Sequence, residues 1–210
     1  MIFNYIHKIN FYNSIFENGR IPIAYKKLLL KKDDTLLFTS TEVPHELKDI
    51  HSYELFPNYL AYNIADKLEL QKVFQKKGYA IDLKEYIDIN DYLKKHCKGN
   101  FRNNILRSVK RIETSFNIKY KHFYGEINNE VYTVLMSALL DMLTKRFEQR
   151  SDKNIILENW DYYLETTQEL ILRKKASLFV IYNETQPIAI SLNHHFGPVL
   201  YFSIPSFDLD

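Results

Sequence analysis

Apolar residues recur at helical spacing in the middle of the chain. Between residues 90 and 116 they are three or four positions apart, which predicts a helix, interrupted near Gly99, with one buried apolar side. That side consists of Phe101, Ile105, Val109, Ile112 and Phe116. We expect Ile105, Val109 and Ile112 to be buried, and an aspartate at position 109 to destabilise the fold by several (~3) kcal/mol.

Alternating and β-rich segments follow this helix. Residues 118–124 predict a strand that Gly125 closes, and Asn128 or Asn129 is expected to cap the next helix. A further helix is predicted over residues 158–175. The last part of the chain predicts three strands, over residues 177–182, 187–196 and 199–204. The turns between these strands are too short for a crossover, so the strands are expected to form an antiparallel meander.

The first third of the chain has a weaker pattern. It predicts a strand over residues 59–64 and a short helix over 67–77 that ends before Gly78. The pattern is clearer from there on, and residues 79–83 predict a strand. We expect residues 1–75 to form a partial or degenerate subdomain and residues 76–210 to form the main domain. The predicted class is α/β (α+β), with a mixed, largely antiparallel sheet flanked by helices.

Composition limits the chemistry. The chain has 210 residues, and its only cysteine, Cys97, cannot form an intrachain disulfide, which is typical of a cytoplasmic protein. No predicted segment is long and apolar enough to span a membrane, so no membrane partner is expected. The 5 glycines are more than twenty residues apart, which excludes glycine-rich phosphate loops and a G-x-S-x-G nucleophile elbow.

Positive charge is concentrated in one segment. Residues 94–124 hold nine lysines and arginines against a single acid, Glu113, whereas the whole chain has a net charge of only +2. Arg107, Lys110 and Arg111 lie opposite the apolar side of the predicted helix. Three interpretations remain open: a solvated helix face, an anion site for coenzyme A or another phosphorylated substrate, and a nucleic-acid site that includes tRNA among its ligands.

Two adjacent histidines are candidates for acid–base chemistry. An unperturbed imidazole titrates near neutral pH, so His194 or His195 is a candidate general base. Neighbouring residues of a strand point to opposite faces, so only one of them can face a pocket. The pair is therefore a poor metal site, and no second cysteine or H-E-x-x-H pattern supports one.

The order of the predicted elements resembles the GNAT acyltransferase superfamily, and especially its FemAB-like, cellulose-biosynthesis-type branch. Residues 100–113, NFRNNILRSVKRIE, look like the basic helix of that branch. Residues 187–192, PIAISL, look like its third strand, and residues 200–203 would form the fourth strand. The resemblance covers about residues 79–210.

This resemblance implies a function and a set of site residues. It implies acyl transfer from acetyl-CoA, another acyl-CoA or an aminoacyl carrier to a primary amine of a small molecule or peptide. Asp208 would join His194 and His195 as a candidate catalytic residue. The candidate cofactor-binding residues are Arg107, Lys110, Arg111 and Ser203. No metal is expected.

The C-terminus and the competing function give two more expectations. In the resembling family a loop and helix that bind the CoA pyrophosphate follow the fourth strand, so we expect them, and a complete enzyme, to require residues beyond Asp210. Acetyl-CoA should then bind this chain weakly and in a salt-sensitive way, with no detectable turnover of simple amines. The alternative function is a non-catalytic module whose basic face binds nucleic acid, such as tRNA, or another anionic partner. A homo-oligomer is compatible with either function.

Overall fold

The computed structural model describes residues 7–17, 25–40, 51–64, 69–150 and 154–209. Contacts divide the chain into two compact units. The first unit comprises Met1–Gly78 with His194–Tyr201, and the second comprises Tyr79–Asn193 with Phe202–Asp210. The α+β class, with antiparallel sheets flanked by helices, is confirmed.

The first unit contains two small sheets. Its strands are β1 (His7–Asn10), β2 (Tyr25–Leu30), β3 (Leu36–Thr39), β4 (His51–Glu54) and β5 (Leu60–Ile64), and a π-helical segment spans Asn13–Glu17. Strands β1 and β4 pair in parallel, whereas β3, β2 and β5 form an antiparallel sheet in that order. The strand predicted over residues 59–64 is confirmed as β5.

Aromatic side chains dominate the core of the first unit. Phe11 is fully buried, with its ring centroid 4.5 Å from that of Phe56. Tyr12 stacks on Tyr201 at 4.7 Å, which brings the tip of the C-terminal hairpin into this core. Offset and edge-to-face ring pairs stabilise a core beyond the apolar area that they bury.

The second unit holds the longer elements. A 3₁₀ turn at Leu83–Glu85 precedes two basic helices, α1 (Ile89–His96) and α2 (Gly99–Ser115). The remaining elements are β6 (Ile118–Phe123), α3 (Asn129–Arg150), α4 (Ile155–Glu158), α5 (Trp160–Leu172), β7 (Ala176–Asn183) and, apart from their residues in His194–Tyr201, β8 (Gln186–Phe196) and β9 (Val199–Phe207). The predicted break near Gly99 is confirmed, because α1 ends and α2 begins there.

The four C-terminal strands form one sheet in the order β6-β7-β8-β9. Strand β6 pairs antiparallel with β7, in a register that sets Lys119 opposite Tyr182. Two-residue turns join β7 to β8 and β8 to β9, so the predicted meander of consecutive neighbours is confirmed.

Helices α3 and α5 cover the core of this sheet. The Asn128 side chain accepts a 2.8 Å hydrogen bond from the Val131 N–H, which caps α3 as predicted. Along α3, Leu135, Leu139 and Leu143 are buried and recur every four residues, on the side that packs against the core. Trp160, Thr167 and Ile171 of α5 are also buried, whereas Leu164, expected on the same side, is exposed.

Two local predictions are wrong. Residues 69–82 contain no helix and no strand, although a helix was predicted over residues 67–77 and a strand over 79–83; residues 67 and 68 lie outside the described part of the chain. The Asp82 side chain accepts a hydrogen bond from the Lys84 N–H and caps the 3₁₀ turn. This local bond offers the backbone an alternative to extended pairing.

The burial predicted for α2 is also wrong. The helix forms over the expected residues, but none of its side chains is buried. Phe101 is 60% exposed and Val109 is 42% exposed. The periodicity therefore located the apolar side of α2 correctly, but within the described residues nothing covers that side.

Within the described residues, no helix has the length and apolar character that crossing a bilayer requires.

Candidate functional site

The cations predicted to bind an anion lie together on α2. Arg107, Lys110 and Arg111 are exposed, and no described residue forms an ion pair with them. We call these three residues the basic face. The Lys95 ammonium on α1, by contrast, lies 2.8 Å from the Asp91 carboxylate. The basic face is therefore available to an external anion.

The one acid of the basic segment has a local partner. The Tyr120 hydroxyl on β6 donates a 2.9 Å hydrogen bond to Glu113 Oε1 near the end of α2. Partial burial and this bond to a carboxylate raise the Tyr120 pKa, which keeps the hydroxyl protonated as the donor. This bond joins the last turn of α2 to the sheet.

A cleft of about 480 Å³ lies against β6, the first turns of α3 and the turn that follows β7. Lys119 and Lys121 line it together with Glu130 and Glu184, so the charges of its lining cancel. Lys121 Nζ lies 5.8 Å from the ring centroid of Tyr182, within reach of a cation–π contact. Because the cleft has no net charge, it is a weaker phosphate site than the basic face.

A second, smaller cleft contains Asp208. It has a volume of about 210 Å³ and is lined by Asp141, Lys145 and Asp208 together with Gln186 and Pro187. We call it the acidic cleft, because two carboxylates face one ammonium group. Its volume corresponds to about 7 water molecules, which is enough for a short alkyl amine.

The backbone positions the groups of the acidic cleft. The Asp208 N–H donates a 2.8 Å hydrogen bond to the Ile188 carbonyl, which fixes the end of β9 against β8. Asp141 and Lys145 lie one turn apart on α3, with 3.6 Å between Lys145 Nζ and Asp141 Oδ2. Sequence reasoning identified Asp208 but missed Asp141 and Lys145. Their four-residue spacing on a predicted helix could have indicated that their side chains are neighbours.

The two histidines have different environments. His194 is 1% exposed, and its Nδ1 has no hydrogen-bond partner among the described residues. Burial, with a smaller contribution from the charge of His195, lowers the His194 pKa to about 4, so the ring is neutral at pH 7. His195 is half-buried. A buried ring cannot reach a bound amine, so this geometry favours a packing role for His194.

The predicted residues are only partly brought together. His194 and His195 belong to the first unit, whereas Asp208 and the basic face belong to the second. Ser203, predicted to bind the acyl donor, is half-buried in β9. Among the described residues, no group of three or more His, Cys, Asp or Glu side chains is arranged to hold a metal ion.

No protein-family model matches the sequence, and no curated protein matches it. The assignment to the GNAT superfamily therefore stays a resemblance based on the residues and the element order.

Proposed function

We propose that this protein transfers an acyl group to a primary amine that binds in the acidic cleft. The observation that carries the proposal is that Asp208, a predicted catalytic residue, shares this cleft with Asp141 and Lys145. Two carboxylates attract an alkylammonium group, and Lys145 beside Asp141 leaves the cleft with a net charge near −1. Such a lining favours a monovalent cation over an anion or a neutral alcohol.

Asp208 then has two tasks. Its carboxylate orients the bound ammonium by a charge-assisted hydrogen bond, and it accepts a proton as the amine becomes the nucleophile. We assign most of the Asp208 contribution to binding and orientation of the amine. The amine nitrogen attacks the thioester carbonyl carbon of the donor, a C–N bond forms, and the C–S bond breaks to release the thiol.

The acyl donor is proposed to bind through its phosphates. Arg107, Lys110 and Arg111 provide three exposed cations for an acyl-CoA or an aminoacyl carrier. Arginine guanidinium groups bind phosphate oxygens in a bidentate manner, whereas lysine acts as a point charge.

Amine binding tests the acidic cleft independently of the donor. In an NMR titration of the 210-residue chain, n-butylamine should shift resonances near Asp208 and Lys145, whereas n-butanol, of similar size, should not. Asp208→Asn should weaken amine binding at least tenfold. Glu165→Gln, which neutralises an exposed carboxylate of α5, is the matched control and should leave it unchanged. Equal binding of amine and alcohol would overturn the proposal.

Product formation tests the reaction. The chain would be incubated with millimolar acetyl-CoA and a panel of primary amines, and acetylated product would be measured by mass spectrometry. The sequence alone predicted no detectable turnover of simple amines. We now expect slow transfer, because millimolar acetyl-CoA offsets weak binding of the donor, and Asp208→Asn should reduce this transfer more than tenfold. Amine binding without any transfer would support the acidic cleft as an amine site but would contradict the acyl-transfer reaction.

A second candidate function has its own observation. The basic face is exposed, has no ion-pair partner in the described part of the chain and belongs to a segment of net charge +8, which supports a module that binds a polyanionic partner. Replacing Arg107, Lys110 and Arg111 together by glutamine should then weaken binding to anionic ligands and reduce its salt dependence. Binding to the substituted chain with unchanged salt dependence would contradict this function.

A further inference from the structure

Helix α2 exposes an apolar stripe as well as a basic face. The stripe consists of Phe101, Ile105, Val109 and Ile112 of the helix, together with Phe116 at its C-cap. Phe101, Val109 and Phe116 are exposed, and Ile105 is half-buried. Water therefore contacts a row of large apolar side chains, which is unfavourable unless something covers it.

The other side of the same helix is strongly cationic. No acid occurs from Lys94 through Ile112, and the first one, Glu113, is hydrogen-bonded to Tyr120. The basic face lies opposite the stripe, so three of the four cations of α2 are separated from its apolar residues, whereas Arg102 and Glu113 lie beside the stripe. This separation is typical of helices that lie in the interface of a bilayer.

We propose that α2 docks in the plane of an anionic phospholipid surface. The stripe enters the boundary between headgroups and acyl chains. The long side chains of Arg107, Lys110 and Arg111 extend towards the lipid phosphates. This inference names the partner for the second proposed function and depends on it. The 17 residues of α2 make a helix about 25 Å long.

The stripe distinguishes a bilayer from a nucleic acid. A nucleic acid would use the cations of α2 but would leave Val109 and Ile112 in water, because aliphatic side chains do not stack on bases as aromatic ones do. A second copy of the chain would cover the stripe but would bring two cationic faces close together. An anionic bilayer, unlike a nucleic acid or a second copy, satisfies both sides of the helix.

This docking is compatible with the finding that no helix among the described residues could span a bilayer. The expectation of no membrane partner depended on the length of apolar segments. A helix that lies in the interface needs one apolar side and one strongly charged side, and it does not need a long apolar run. Helix α2 has an apolar side and a charged side, but it lacks the length and apolar character needed to cross a bilayer.

Vesicle sedimentation tests the inference on the whole 210-residue chain. Vesicles of phosphatidylcholine alone would be compared with vesicles that also contain phosphatidylglycerol, at low and at moderate NaCl. We expect the chain to sediment with the anionic vesicles only, and its affinity to fall at least fivefold as salt rises. Inorganic phosphate at the same ionic strength should compete no better than chloride. Equal binding to both vesicle types would overturn the inference.

Substitutions separate the stripe from the cations. Val109→Gln with Ile112→Gln should weaken binding to anionic vesicles at least tenfold. Val134→Gln, at a 60% exposed valine of α3, is the matched control and should not weaken it. Circular dichroism melts of all variants exclude unfolding as the cause. Unchanged affinity of the Val109/Ile112 variant would overturn the inference.

The remaining outcomes identify other partners. Binding to single-stranded RNA but not to vesicles would keep the second proposed function and overturn the bilayer as partner. If the chain bound neither RNA nor vesicles, both the second proposed function and the bilayer inference would be overturned. A dimer in light scattering that becomes a monomer in the Val109/Ile112 variant would show that a second copy covers the stripe, and would also overturn the inference.

Discussion

The hydroxyl of Tyr132 on α3 donates a 2.6 Å hydrogen bond to the carbonyl oxygen of Leu164 on α5. Tyr132 is buried, so this bond forms away from water and joins the two helices that cover the sheet. Helix α3 also positions Asp141 and Lys145. The packing of α3 against α5 therefore supports the acidic cleft as well as the fold.

Removing this hydroxyl should lower stability moderately. Tyr132→Phe leaves the ring in place but loses one buried hydrogen bond, so we expect the free energy of unfolding to fall by about 1 kcal/mol. Tyr79→Phe, at a tyrosine that is 95% exposed, is the control and should change it by less than about 0.5 kcal/mol. Urea unfolding of both variants measures the difference, and equal midpoints would contradict the structural role of the bond.

The same residue should make the protein sensitive to alkali. Burial raises the Tyr132 pKa to about 12, whereas the unfolded chain titrates near 10. Above pH 10 the unfolded state loses a proton that the folded state keeps, so stability should be lost as pH rises from 10 towards 12. The size of this loss is about 2 kcal/mol. Urea midpoints measured across that range should fall less steeply in Tyr132→Phe than in the parent chain.

Local sequence signals predicted the second unit well. Asn128 caps α3 as expected, and the short turns after β7 and β8 permit only neighbouring strands. These features depend on residues close together in the sequence. The strand predicted over residues 79–83 failed because strand formation needs a partner strand, which its own residues cannot supply, and the Asp82 side chain forms a local turn instead.

The candidate site was less predictable than the fold. Asp208 was identified from the end of a strand, but its neighbours Asp141 and Lys145 are more than sixty residues away in the sequence and come together with it only in the folded unit. The burial of His194 could not be predicted from the sequence either, because strand alternation does not show which face of β8 is covered. Charge clustering on α2, a purely local property, was predicted correctly.

His194 should make stability fall in mild acid. Its pKa of about 4 in the folded chain is below the ordinary value of 6.5, so the unfolded state binds a proton first as pH falls. The contribution is present above pH 6.5 and is lost between 6.5 and about 4, with a size of about 3 kcal/mol. His194→Gln should flatten the dependence of the urea midpoint on pH in this range. His195→Gln, at the half-buried neighbour, should retain most of this pH dependence.

An aspartate at position 109 distinguishes an exposed stripe from a buried one. Because Val109 is exposed, we now expect Val109→Asp to change the free energy of unfolding by less than about 1 kcal/mol, mostly through helix propensity. Leu139→Asp, at a fully buried position of α3, should cost at least about 4 kcal/mol because it buries an unpaired charge. Thermal melts of both variants give the comparison. If Val109→Asp destabilised the chain as much as Leu139→Asp does, α2 would be packed against other residues in solution, and its stripe would not be available to a bilayer.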